Sequence, residues 1–242
     1  MKFMSVLILR ERMDNMAKRI YISPSNQNGN LYATGNTNEK VQCHKIAKAC
    51  AEYLKKHGFS VKCTYDDDMY KRVRESNAFK ADMHVAIHTN ATGKHNVTGG
   101  TQILLYSLDG ERKKAGQAVF KRLSPITPGK SAEKLIAKPD FYECKAANAI
   151  TVYCECEFHD TKEGSDFIIK NTTKIGEAIA KGICDYYGVK IIDFPIKELS
   201  APTKAETLYV VQTGAFSIKK NAEKHLEKLK KAGFEGFITL KI

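Results

Sequence analysis

The chain has 242 residues, 43% of them hydrophobic and 27% charged, which is ordinary for a soluble globular protein with one medium domain and a small appendage. A core of this size needs no disulfides or other staples, and no stretch reaches the roughly 18 apolar residues of a membrane-spanning helix. The formal net charge of +12 is unusual and favours a polyanionic partner: nucleic acid, an anionic membrane or an acidic wall polymer.

The first residues, MKFMSVLIL, look like the start of a signal peptide. The apolar run is short, is followed by Arg10, Glu11, Arg12 and Asp14, and lacks a small-residue cleavage site. Residues 1–17 therefore read as an N-terminal extension, and the protein as one made in the cytoplasm without a functional signal peptide. Residues 18–23 form a short strand running into the polar loop PSNQNGNLYATGNTN. A helix follows over 39–57, with Cys43, Ile46, Ala47, Cys50 and Leu54 at helical spacing and Gly58 as its stop. Next come a strand at 59–64, a helix at 70–80, a strand at 83–88 ending in TNATGKHNVTGG, a strand at 101–106 and a helix at 111–123. After a less regular stretch, 149–155 reads as a β-branched strand ending at Glu155, followed by the loop CEFHDTKEG and a helix over 165–187 closed by Gly188.

This alternation predicts an α/β domain, a twisted and mostly parallel sheet flanked by helices, spanning 18–192. Ligands of such sheets bind beyond the carboxyl ends of the strands, here the loops 23–39, 88–100 and 155–164. Residues 193–206, with two prolines and no periodicity, read as a linker, and 207–242 as a small C-terminal β-α-β unit. The seven cysteines form no C-x-x-C pair, which argues against a zinc ribbon or a thioredoxin motif and for synthesis in a reducing compartment.

Four segments in order carry a resemblance: IYISPSNQNGN, Asn38-Glu39-Lys40, ADMHVAIHTNA with Gly99-Gly100-Thr101, and VYCECEFHD. Over about residues 18–190 they resemble the zinc-dependent N-acetylmuramoyl-L-alanine amidases, which cut the bond between muramic acid and L-alanine in peptidoglycan. The resemblance implies a Zn²⁺ cofactor held by Glu39 and His88, with Glu155 as catalytic acid–base. The chemistry is coherent, because a zinc ion on N and O ligands with one open position activates water and polarises a carbonyl. Glu39 falls on the inward helix face with Ile46 and Cys50, where a carboxylate needs a partner. Glu157 is a rival to Glu155, two residues on and able to face the same way. His84 shares the strand face of His88 but lies too far along it to share one ion, and reads as structural.

The chain departs from the family at the first strand, where a Gly-His-Gly type turn usually supplies a zinc-binding histidine. Here the turn reads Ser25-Asn26-Gln27. His44 is the leading substitute, although five residues along a helix from Glu39 is about 140° around the axis. Gln27 and His159 are the alternatives.

Residues 207–242 resemble one repeat of the SPOR type, a peptidoglycan-binding module, through YVVQTGAF, the helix with Ala222, Leu226 and Leu229, and Gly233-Phe234. A complete module has two such repeats, so the expectation is a homodimer that pairs two half-modules. The resemblance implies a wall hydrolase with peptidoglycan as substrate and binding target, no nucleic-acid partner and no membrane insertion. Such an enzyme would act on the wall after release, as a phage endolysin or a mother-cell lytic amidase does. The alternative is an inactive wall-binding protein of the same fold.

Overall fold

A computed structural model describes residues 17–93, 99–130, 134–192, 214, 216–217 and 219–232. The expected N-terminal extension before residue 17, the linker 193–206 and most of the two strands expected in the C-terminal unit lie outside these residues. The chain divides into two compact units, Met1–Ile192 and Asp193–Ile242.

In the first unit the elements run β1 (Arg19–Pro24), α1 (Glu39–Lys56), β2 (Ser60–Cys63), α2 (Met69–Ala78), β3 (Met83–Asn90), β4 (Gln102–Leu105), α3 (Gly110–Leu123), β5 (Leu135–Ala137), α4 (Tyr142–Ala146), β6 (Ile150–Phe158) and α5 (Lys162–Tyr187). They build one six-stranded sheet in the order β2-β1-β3-β6-β4-β5. All pairs are parallel except β4 with β6. The sheet is thus mostly parallel and flanked by helices, as expected. Two elements arise in the stretch that carried no clear period, β5 and α4. They are three and five residues long, too short to display a period.

The central strands are buried on both faces, which is why MHVAIHTN and ITVYCECEF read as near-continuous apolar runs with polar residues only at special positions. Six of the seven cysteines are buried and all are free, behaving as small core hydrophobes. Helix α5 packs against α1 through Gly176, where an added Cβ would lie 2.4 Å from the Ile46 carbonyl oxygen, and against α3 through Gly182, where it would lie 2.5 Å from the Val119 Cα. Only glycine allows that approach. In the second unit the described helix α6 (Lys219–Lys231) carries Ala222, Leu226 and Leu229 as a half-buried stripe.

Candidate active site

The site forms where the carboxyl ends of β1, β3 and β6 meet the start of α1. Asn38 caps α1 by accepting from the Val41 N–H at 3.0 Å. Two further first-turn N–H groups are taken by loop carbonyls, Glu39 to Asn30 at 3.0 Å and Lys40 to Gln27 at 3.2 Å. The loop after β1 is thereby folded over the helix N-terminus, and Glu39, 1% exposed, is aimed at the sheet. Beneath it, Ser25 donates its N–H to the Ile87 carbonyl at 2.9 Å, and the buried Arg72 guanidinium donates to the Pro24 carbonyl at 2.6 Å. These bonds fix the end of β1 beside β3.

His88 lies on β3 directly across from Glu155 on β6. Its Nδ1 is 2.8 Å from Glu39 Oε1, and its ring stacks on Tyr153 with centroids 4.4 Å apart. The Gln27 amide nitrogen is 3.4 Å from the same Nδ1. Asn30 donates from one amide group to Gln27 Oε1 at 2.9 Å and to Glu39 Oε2 at 2.6 Å. Three of the expected residues are thus brought together: Glu39, His88 and Glu155. Glu155 does not end its strand as expected; β6 continues to Phe158 and the strand-end loop starts later.

His44 is not brought to this cluster. Its ring sits edge-on to Tyr65 at 4.8 Å, beside the charges of Lys40 and Arg72. Burial and the Lys40 charge lower its pKa, and no hydrogen bond or ion pair among the described residues joins it to Glu39 or His88, in keeping with the angle between positions 39 and 44 on an ideal helix. His159 is also committed elsewhere. It stacks on Tyr32 at 5.0 Å, and its Nδ1 lies 3.0 Å from both the Thr89 carbonyl and the Thr89 hydroxyl. Asn26, in the first-strand turn, donates its side-chain amide to the Asp67 carbonyl. Among the described residues no three His, Cys, Asp or Glu side chains converge as a metal site. What stands on the third side of Glu39 and His88 is the amide of Gln27.

Glu155 and Glu157 differ in their hydrogen bonds. Glu157 accepts from the main-chain N–H of Gly100 at 2.7 Å, Phe158 at 2.8 Å and Gly129 at 3.1 Å. It is a structural acid tying the G-G-T segment and the 129 turn to β6. Among the described residues Glu155 shows no such bonds, and its Oε2 is buried without a hydrogen bond. Burial raises the Glu155 carboxyl to about 7, with the His88 charge lowering it and the Glu39 charge raising it.

The sequence reading missed Glu143. From the short helix α4 it enters the core, 2% exposed, and accepts from the Ser23 hydroxyl and, at 3.1 Å, from His84 Nε2. Its other oxygen is 3.9 Å from His88 Nε2. The only available signal was an acid placed beside Phe141 and Cys144 in an otherwise unassigned segment. Burial would lower the His88 pKa, but the neighbouring carboxylates of Glu143 and Glu39 outweigh it and hold the imidazole up to about 9. Burial opposes ionisation of Glu39 and Glu143 too. For Glu39 the hydrogen bond to His88 prevails, and for Glu143 the one to His84, so both carboxyls stay below the usual range.

A half-buried carboxylate poised near neutrality, beside a second carboxylate and an imidazole at the strand ends of a mostly parallel sheet, defines a hydrolase-type site. The profile of the N-acetylmuramoyl-L-alanine amidase family (Amidase_3) matches residues 20–185, and the chain belongs to that family. It is a peptidoglycan amidase by this membership. The SPOR domain profile matches residues 189–240.

Solved structures share the fold. The catalytic domain of CwlV from Bacillus (Paenibacillus) polymyxa var. colistinus is 20% identical, with a TM-score of 0.63 over 72% of this chain and 99% of that one. An N-acetylmuramoyl-L-alanine amidase from Clostridium difficile 630 is 24% identical, with a TM-score of 0.62 over 72% and 99%. AmiC2 of Nostoc punctiforme is 20% identical, with a TM-score of 0.62 over 71% and 97%. No curated protein sequence matches the chain. The family is generally zinc-dependent. Among the described residues the donors fit such an ion best at the Nδ1 edge of His88. There an imidazole nitrogen, a carboxylate and an amide meet, and two of these three donor types recur in zinc sites.

Proposed function

We propose that the chain hydrolyses the amide bond between N-acetylmuramic acid and L-alanine, with Glu39 and His88 holding Zn²⁺, Gln27 closing the third side, and Glu155 moving the proton. When bound, zinc supplies Lewis acidity toward the carbonyl and activates water. The chain's own residues do the rest. Near neutral pH a carboxyl with a pKa of about 7 is divided between its two forms. Glu155 therefore takes a proton from the attacking water and returns it to the leaving amine. Tyr153 backs the His88 ring and excludes water from that side. Asn30 holds Gln27 and Glu39 in one arrangement through its amide group.

The observation that carries this reading is the register of His88 with Glu155, which sets a carboxylate whose Oε2 has no hydrogen bond among the described residues beside the imidazole. Purified protein should contain zinc, lose activity on cell walls to a chelator and regain it with zinc. Glu155→Gln should reduce turnover by about 10²–10⁴-fold. One feature favours the second reading, binding without hydrolysis: an amide stands where the family's first histidine would. Zinc-loaded protein that retains wall binding but releases no amine would establish that reading instead.

The C-terminal unit, by this reading, holds the enzyme on peptidoglycan and pairs two chains. The half-buried stripe Ala222, Leu226 and Leu229 supports a pairing surface, and about 36 residues are too few for an independent core. Light scattering at tens of micromolar should give the mass of a dimer; a monomer would sink the pairing.

A further inference from the structure

The two edges of the His88 ring face different acids. Nδ1 meets Glu39 at 2.8 Å, whereas Nε2 is buried with no hydrogen bond and has Glu143 Oε2 as the only carboxylate oxygen within 4 Å among the described residues. We propose that Glu143 is a positioning residue for His88: it takes the Nε2 edge of the ring and so presents Nδ1 to Glu39 and Gln27. The proposal rests on His88 being a zinc ligand, as read above.

Glu143 is built for a fixed position. Its main-chain carbonyl accepts from the Thr151 hydroxyl at 2.9 Å, which ties α4 to the start of β6. Phe141, two residues before Glu143, meets Tyr153 edge-on at 5.5 Å, and Tyr153 stacks on His88. Oε1 is occupied by Ser23 and His84, which leaves Oε2 as the oxygen turned toward His88. The ring therefore stacks on Tyr153 and faces, at its far edge, an acid on a separate element.

A neutral imidazole carries one N–H. A carboxylate at Nε2 keeps the proton there and leaves the Nδ1 lone pair for a metal. An apolar residue at 143 would leave the tautomers free to interchange. A glutamine could turn its amide N–H toward Nε2 and move the proton to Nδ1, the wrong nitrogen.

Zinc affinity measured by competition with a chromophoric chelator, on wild type, Glu143→Gln and Glu143→Leu, tests this. The variants are expected to bind zinc about 10–100-fold more weakly. Near-ultraviolet circular dichroism shows whether they are folded. In zinc-loaded wild type labelled with ¹⁵N-histidine, the His88 proton is expected on Nε2 and protected from exchange. Folded Glu143→Gln that binds zinc as tightly as wild type overturns the proposal. So does a zinc-loaded wild type whose His88 carries its proton on Nδ1, a measurement that decides the matter even if both variants fail to fold. Wild type that takes up no zinc overturns the zinc-ligand reading itself, and the proposal with it.

Discussion

At the scale of single residues the informative contrast lies in the turn after β1. Asn26 spends its amide on the Asp67 carbonyl, while Gln27 reaches the Nδ1 edge of His88. An imidazole introduced at Gln27 would therefore arrive at the proposed metal position, and one at Asn26 would have to break the bond to Asp67 first. Gln27→His is expected to tighten zinc binding by tenfold or more, about 1.4 kcal/mol, and Asn26→His to tighten it less; isothermal titration of both would invert this ranking if the turn were placed wrongly. The pH response follows from the same cluster in metal-free protein. Glu155 has a folded pKa of about 7 against an ordinary 4.5, so the native state holds its proton longer, and stability falls as pH rises through that window. His88, raised from 6.5 to about 9, contributes stability that is complete below 6.5 and lost as pH passes 9. Glu39, with a lowered pKa, acts oppositely, and its contribution disappears on acidification below the usual carboxyl range. Metal-free protein should thus have its highest Tm at about pH 5–6 and lose stability toward pH 9; a Tm rising over that interval contradicts the arrangement. That His88, Glu39 and Glu155 would lie together was legible in the sequence because each sits in a distinctive local pattern. Glu143 was not, and Gln27 stood only as an alternative to His44, since both depend on where side chains 60 or so positions apart come to rest.

At the scale of elements, the site depends on how closely α5 can approach its neighbours. Gly176 and Gly182 lie on successive turns of α5 and let it touch α1 and α3, and α1 is the helix that aims Glu39. Alanine at Gly176 would meet the Ile46 carbonyl oxygen at 2.4 Å and the Cys50 amide nitrogen at 2.8 Å, both backbone atoms with little freedom to move. The expected cost is about 1–3 kcal/mol in denaturant unfolding, with part of the strain passed to α1 and so to zinc affinity. Gly182→Ala should destabilise by a similar amount, through α3, while leaving zinc affinity unchanged. Equal effects of the two on zinc binding would mean that α1 does not transmit the strain. The long elements were readable because eighteen or twenty-six residues show their period plainly. The strand β6 ran three residues past its expected end because Glu157, a charged residue that reads as loop, is hydrogen-bonded in place by three backbone N–H groups. For the same reason Glu157→Ala is expected to cost more stability than Glu155→Gln and far less of the chemistry per folded molecule.

At the scale of the whole molecule, two different forces would hold the enzyme on its substrate. The net charge of +12 falls mostly before residue 193, in the unit that carries the active site, while the SPOR match lies almost wholly in the second unit. Charge attraction between exposed groups is screened over about 10 Å at 0.1 M salt and about 3 Å at 1 M, whereas contacts to glycan are not removed this way. The first unit should therefore adhere to anionic walls in a salt-sensitive manner, and the second in a manner that salt leaves largely intact. A chain ending at Ile192 is expected to cosediment with purified sacculi nearly as well as the full chain at low ionic strength. It should release from them almost completely at about 0.5 M salt, where the full chain remains bound. Stripping the sacculi of teichoic acid should remove the salt-sensitive part alone. If the shortened chain held on at high salt, the wall contacts would belong to the catalytic unit, and the proposed pairing of chains would be the remaining role for the second unit.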